Sequence, residues 1–235
     1  MTTIADVAFD VPLAHSFAYR VPDGWTLAPG QRVVAPLRGA SRVGMIVALR
    51  AQEAALQGCR KCKLCEGRST IVFGSGNPRA ELVVIGEGPG ADEDAQGLPF
   101  VGRAGQLLTK MLEARKVELS RDEVYITNAV KCRPPSNRNP EGDELAACAP
   151  FLAAQLAVLQ PKVVLALGSV ATQSLLGTRE PIGKLRGRVH PYGAAVLIPT
   201  FHPAFLLRNP GEEYKRMAWD DLQLARREYD RRKTR

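Results

Sequence analysis

GEGPGADEDAQGLPFVG, residues Gly86 to Gly102, follows directly on the apolar run Leu82-Val83-Val84-Ile85. A short unbroken apolar run that ends in glycine reads as a strand buried on both faces of a parallel sheet. Ligands of open α/β sheets bind where such strands end at their carboxyl edge. Glu87, Asp92, Glu93 and Asp94 sit among the glycines, and Phe100 stands at the far end. The stretch is therefore expected to be a long loop that walls a catalytic pocket, with helix resuming over Gly105–Val117.

The chain downstream supplies more strands and helices in alternation. Val124–Asn128 reads as a second strand that opens into the loop NAVKCRPPSNRNP. From roughly Asp143 to Leu159 the spacing is helical, with Leu145, Cys148, Leu152, Leu156 and Leu159 on one face. Val163–Leu167 is a third buried strand, and a helix runs from Gly168 to near Gly177. Ala195–Pro199 is the last strand, followed by Thr200-Phe201-His202-Pro203. The tail, about Glu213 to Arg232, reads as a charged helix with a solvated, frayed end. This order predicts an α/β fold of three layers, αβα, around a central and mostly parallel sheet.

Residues 1 to about 50 read differently. Val7, Phe9 and Val11 alternate, as do Phe17, Tyr19 and Val21. Val33-Val34 and Met45–Leu49 are further strands, and Pro22-Asp23-Gly24, Pro29-Gly30 and Arg38-Gly39-Ala40 supply turns. A small all-β module is expected over 1–50, then a linker over 51–58, then the α/β domain over 59–235. The strings DVPLAHSFAYRVPDG, PGQRVVAP and RVGMIVAL resemble the N-terminal DNA-binding domain of the primosomal replication-restart helicase. That resemblance implies a module that holds the 3′ end of a stalled strand. The position after the Phe17 aromatic, acidic in that family, is Ala18 here. No GxxxxGK[ST] phosphate loop occurs in the chain, so the module is expected to be an appended binding domain or a relic.

The 235 residues carry a net charge of +8, which favours an anionic partner, nucleic acid first. No apolar run approaches the roughly 20 residues of a membrane span, and the N-terminus MTTIADVAFD is no secretory signal. Five cysteines, three of them clustered, do not resemble an extracellular disulfide framework, so a cytoplasmic location is expected.

Cys59 and Cys62 form a CxxC, and Cys132 and Cys148 lie far downstream. Cys148 alone would read as a small core residue. Together the four make a thiolate metal site the expected reading, suited to zinc or an iron–sulfur cluster, between which spacing does not choose. Cys65 is the spare thiol, although it could trade roles with Cys59 or Cys62. The GEGPG turn also invites a dinucleotide reading. That fingerprint needs a helix to start at the glycines, and acids beside a phosphate repel it, so no nucleotide cofactor is expected.

Several motifs in this order resemble the family 4, iron–sulfur, uracil-DNA glycosylases: Cys59-x-x-Cys62, GEGPGADEDAQGLPFVGRAGQLL, VYITNAVKCRPPSNRNP, Cys148, LALGSVA and FHPAFLLRNP. The likeness covers about Gly58 to Ala225. It implies a repair enzyme that hydrolyses the N-glycosidic bond of uracil in single- or double-stranded DNA and leaves an abasic site for base excision repair. It also implies a monomer with a 4Fe–4S cluster on Cys59, Cys62, Cys132 and Cys148, with zinc the less expected occupant. A related class carries an Arg-rich insertion ending in His after the Asn-bearing strand. Here NAVK runs straight into CRPP, which favours the ordinary hydrolytic class.

Roles follow for single residues. Phe100 would stack on the flipped base, and Asn128 would read its Watson–Crick edge. His202, which taken alone reads as a structural histidine, would stabilise the uracil anion, and Glu87 would position or deprotonate water. Backbone at Glu87 and Gly88 would touch the base, Glu93 would line its C5 edge against the thymine methyl, and Asn137 would order the loop near Glu93. Pro203, Leu206 and Arg208, within a Pro203–Asn209 loop, would grip DNA, with Leu206, Leu207 or Arg208 filling the gap. Lys61, Lys63, Lys131, Arg133, Lys184 and Arg186 are candidate phosphate contacts. His15 and His190 read as ordinary surface residues. Two rival functions are a zinc-stabilised DNA-binding module without catalysis and an enzyme for another damaged base or for RNA.

Overall fold

The computed structural model describes residues 56–233 in full and, before them, the backbone of four strands: β1 (Ile4–Phe9), β2 (Phe17–Arg20), β3 (Arg32–Leu37) and β4 (Ala40–Ile46). These four pair antiparallel in the order β2-β1-β4-β3. Val11, His15, Val21, the turns at Pro22-Asp23-Gly24, Pro29-Gly30 and Arg38-Gly39, residues 47–49 and the linker through 55 lie outside the described residues.

A second sheet of six strands carries the rest. Its strands are β5 (Ser75–Gly76), β6 (Leu82–Gly86), β7 (Tyr125–Asn128), β8 (Val163–Leu167), β9 (His190–Tyr192) and β10 (Ala195–Thr200). The order is β5-β7-β6-β8-β10-β9. The four central strands are parallel, and the short edge strands β5 and β9 are antiparallel to their neighbours. The sheet is thus mostly parallel, as the alternation implies.

Both faces are covered, and the period of two along the strands decides which side chain meets which layer. Leu82, Val84, Val163, Leu165, Leu167, Val196 and Ile198 face one way, onto α3 (Arg103–Glu113) and α8 (Glu212–Lys233). Val83, Ile85, Val164, Ala166 and Leu197 face the other, onto α4 (Gly142–Leu159) and α5 (Gly168–Leu176). Strands buried on both faces favour apolar residues at nearly every position, hence the unbroken runs of β6 and β8. α4 is long and apolar enough to cross a membrane by length and composition. Here its Leu152 and Leu159 pack against the sheet, and Gln155 donates to the Phe73 carbonyl at 3.0 Å.

The tail departs from expectation. α8 is no frayed end, because Ala218, Leu222, Ala225 and Tyr229 are buried and Lys162 donates to the Arg232 carbonyl at 2.9 Å. Its Asp221 is fully buried and takes a two-pronged hydrogen bond from Arg186, at 2.7 and 2.8 Å. Arg186 is therefore spent inside the fold and is not a phosphate contact. Arg186→Met would leave a buried carboxylate unpaired, which typically destabilises by about 3–5 kcal/mol. Urea unfolding of that variant is expected to show a loss of this size.

Candidate active site

The parallel strands end together. Gly86 stands opposite Asn128, and Thr200 opposite Leu167. From β6 the chain crosses to β7 on one side, then returns past β6 to β8 and β10 on the other. Connections that diverge in this way open a crevice at the carboxyl edge. Glu87 follows β6, Asn128 ends β7, and His202 comes two residues after β10. Residues far apart in the chain thus meet at one edge.

They line one cavity of about 290 Å³, which includes Glu87, Gly88, Glu93, Phe100, Asn128 and His202, with Arg208 also on its wall. The Phe100 and His202 rings are 5.6 Å apart, tilted by 33°. A Cβ on Gly86 would stand 2.5 Å from both Asn128 Oδ1 and Phe100 Cζ, so a bare backbone is what lets amide and ring converge. Asn128 is 1% exposed, and its Oδ1 has no hydrogen-bond partner among the described residues. A buried acceptor left open costs free energy until something donates to it.

His202 caps α7 (Pro203–Arg208), its Nδ1 accepting from the Ala204 N–H at 3.1 Å. In the neutral ring the proton therefore sits on Nε2. Burial, helped by the nearby Arg208 charge, pushes the His202 pKa down to about 4, so the ring is neutral near pH 7. Burial also raises the Glu87 carboxyl above the usual range, with Arg208 pulling the other way. The site thus combines an aromatic face, an open amide, a neutral imidazole donor and a carboxylate of increased basicity.

The description Uracil DNA glycosylase superfamily matches residues 73–223, more than half of the chain. The chain belongs to the uracil DNA glycosylase superfamily. A second description, 3'DNA-binding domain (3'BD), matches residues 6–64. The Type-4 uracil-DNA glycosylase of Thermotoga maritima is 45% identical over 170 residues, which cover 72% of this chain and 88% of the relative. The Type-4 uracil-DNA glycosylase of Saccharolobus solfataricus is 47% identical over 160 residues, 65% of this chain and 74% of the relative. The Type-5 uracil-DNA glycosylase of Thermus thermophilus is more distant, at 32% over 174 residues, 66% of this chain and 79% of the relative.

Several sequence expectations need correction within this glycosylase cavity. The stretch after Glu87 is not all loop, because Ala91–Gln96 forms a short helix, α2, and helix resumes at Arg103. The objection that no helix starts at the glycines therefore fails, yet the acids remain. Glu93 Oε2 accepts from the Gly90 N–H at 3.1 Å, filling the place at that helix end. Its Oε1 takes the Val101 and Gly102 N–H groups, each at 2.9 Å. Glu93 lines the cavity, but its carboxylate is committed to bracing the loop. Asn137 accepts from Arg133 Nε at 2.8 Å, a bond within its own loop, and lines the same cavity as Glu93. Asp94 turns to the Ser69 and Thr70 N–H groups.

Lys131 is fully buried, with Nζ 2.6 Å from Thr127 Oγ1 and 2.8 Å from the Asn128 carbonyl, and burial lowers its pKa to about 7. It fixes the Asn128 backbone and cannot meet a phosphate. The Pro203–Asn209 segment is largely helix; Pro203 and Leu206 are buried in it, and Leu207, 41% exposed, is the leucine that faces outward. Arg208, Arg103, Lys61 and Lys184 are exposed. Lys63 is exposed and pairs with Glu141. His190 Nε2 sits 2.8 Å from the Leu185 carbonyl, an ordinary structural contact.

Cys59, Cys62, Cys65, Cys132 and Cys148 all line one small cavity beneath α4 and α1 (Leu64–Gly67). Arg68 donates to Cys132 Sγ at 3.2 Å and to the Cys59 carbonyl at 2.8 Å, tying the two cysteine segments together. Among the described residues no three His, Cys, Asp or Glu side chains are placed to close on a single metal ion. Burial pushes the Cys148 thiol up to about 11, so a thiolate there needs compensating positive charge.

Proposed function

We propose that this protein removes uracil from DNA by hydrolysing its N-glycosidic bond, leaving an abasic site for base excision repair. The observation that carries the reading is the shared cavity of Phe100, Asn128, His202 and Glu87, within a chain 45% identical to a Type-4 uracil-DNA glycosylase. The base would leave the stack at a cost of a few kcal/mol and lie on the Phe100 ring. Asn128 Oδ1 would accept the uracil N3–H, and Nδ2 would donate to O4. Cytosine presents the reverse pattern, so an amide held in one orientation rejects it. The C–N bond breaks with its electron pair passing to uracil. The His202 Nε2–H would stabilise that anion without charging the ring. Water adds to the sugar carbon, and Glu87 takes its proton while favouring the sugar cation.

Cysteine sulfurs converging on one cavity are a donor set that suits an iron–sulfur cluster, with zinc the less expected occupant. Cys59, Cys62, Cys132 and Cys148 would hold a 4Fe–4S cluster, with Cys65 beside them. Its contribution would be structural, pinning the CxxC segment to the Cys132 loop. A cysteine set committed to a cluster belongs to a reducing compartment, and we place the enzyme in the cytoplasm. Action as a monomer is part of this proposal. The N-terminal match to a DNA-binding domain would give a second hold on DNA.

The test is alkaline scission of labelled oligonucleotides, single- and double-stranded, with uracil or thymine at one position. Scission is expected at uracil alone, and it should weaken steeply with salt. A purified protein that holds iron and sulfide yet releases no uracil would overturn the assignment.

A further inference from the structure

Phe100 adopts φ +54°, a left-handed conformation that a bulky aromatic rarely takes. Something must hold it there. Arg121, in the turn before β7, donates from Nη1 to the Phe100 carbonyl at 3.0 Å and from Nη2 to the Pro99 carbonyl at 2.8 Å. The same Nη1 reaches Thr109 Oγ1 on α3 at 3.3 Å, which anchors the guanidinium to the helix that follows the pocket loop. Gly105 closes the arrangement from the other side, since a Cβ there would overlap the Phe100 carbonyl. Two forked nitrogens on two consecutive carbonyls fix a peptide plane in a way a single ammonium cannot.

Arg121 does not line the base cavity. It lines a separate hollow on the far side of Phe100, with Gln106, Thr109 and Asp122. The guanidinium is half-buried and carries no carboxylate ion pair among the described residues. Burial lowers its pKa, so it is held there against the cost of desolvation. We infer that Arg121 is a positioning residue for base recognition, setting the angle of the Phe100 ring through the Pro99 and Phe100 carbonyls. The inference rests on the glycosylase reading and adds a residue outside the pocket to it.

The experiment is a kinetic double-mutant cycle on uracil-containing single strands, using the full chain, with Arg121→Met, Phe100→Ala and the double variant. Losing an aromatic stack on a base weakens binding several-fold to about a hundredfold. Arg121→Met is therefore expected to raise KM about tenfold with kcat within about twofold. In the Phe100→Ala background it should change KM by less than about twofold, because the ring it sets is gone. Arg121→Lys should fall between wild type and Arg121→Met. If Arg121→Met does not fold by circular dichroism, the cycle runs with Arg121→Lys and the same non-additivity is required. Equal losses in both backgrounds would overturn the inference and leave the proposed function standing. A wild-type protein that releases no uracil would defeat the proposed function, and this inference with it.

Discussion

His202→Ala is expected to lower kcat for uracil release by about 10²–10³, as losing one preorganised donor to a developing anion typically does. The size follows from where the ring sits. It shares a cavity with Phe100 and Asn128, and its Nδ1 is already occupied by the Ala204 N–H, so the neutral ring can only donate through Nε2. A neutral donor needs no reorganisation when charge appears on the base. His202→Gln keeps a donor of similar reach and should retain more activity than the alanine. The pH profile gives a second check. With the pKa near 4, the ring stays neutral as pH falls through the ordinary histidine range, and only below that would a proton on Nδ1 break the Ala204 contact. No limb is therefore expected near pH 6.5, the usual histidine value. An active-site limb there that vanishes in His202→Ala would show a charged imidazole instead. The same burial has a stability sign: between about 6.5 and 4 the unfolded chain binds a proton that the folded chain refuses, so stability falls as pH drops through that window.

The strands of the second sheet and the residues at its carboxyl edge are legible in the sequence for one reason. A strand buried on both faces is apolar at nearly every position, and the polar residue at or just past its end then stands out, as Asn128 and Glu87 do. The segment Ala91–Gln96 is illegible as helix because it has no apolar stripe; Glu93 folding back on the Gly90 N–H is what starts it. The edge strands Ser75–Gly76 and His190–Tyr192 are too short for any period to show. Cations mislead most. Lys131 reads as a phosphate contact until Thr127 and the Asn128 carbonyl are seen around it, and Arg186 until Asp221 arrives from thirty-five residues on. Leu206 and Leu207 are adjacent leucines, and only packing beside Phe201 and Ala218 decides which is buried. Arg121 has no motif at all, since its partners are backbone carbonyls twenty-one and twenty-two residues earlier.

Glu87→Gln should lower kcat by about 10²–10⁴, the range over which a positioned general base contributes. The substitution keeps the side chain's size while removing both the negative charge and the site that takes the proton. Glu87 is suited to this work by two opposing neighbours. Burial at the end of β6 pushes its carboxyl up, which makes the carboxylate more basic, and the Arg208 charge keeps that rise in check. The ionised form is the working one, so activity must fall as pH drops through a pKa above the usual carboxylate value. In Glu87→Gln that acid limb should disappear along with most of the rate. Arg208→Ala removes the charge that restrains the rise, so it should move the limb to higher pH even as it weakens DNA binding. Glu87→Asp keeps the charge and draws it back by one methylene, and an intermediate rate is expected. A Glu87→Gln variant with wild-type kcat would mean that water needs no base here, and that the burden of the reaction rests on the anion side of the cavity.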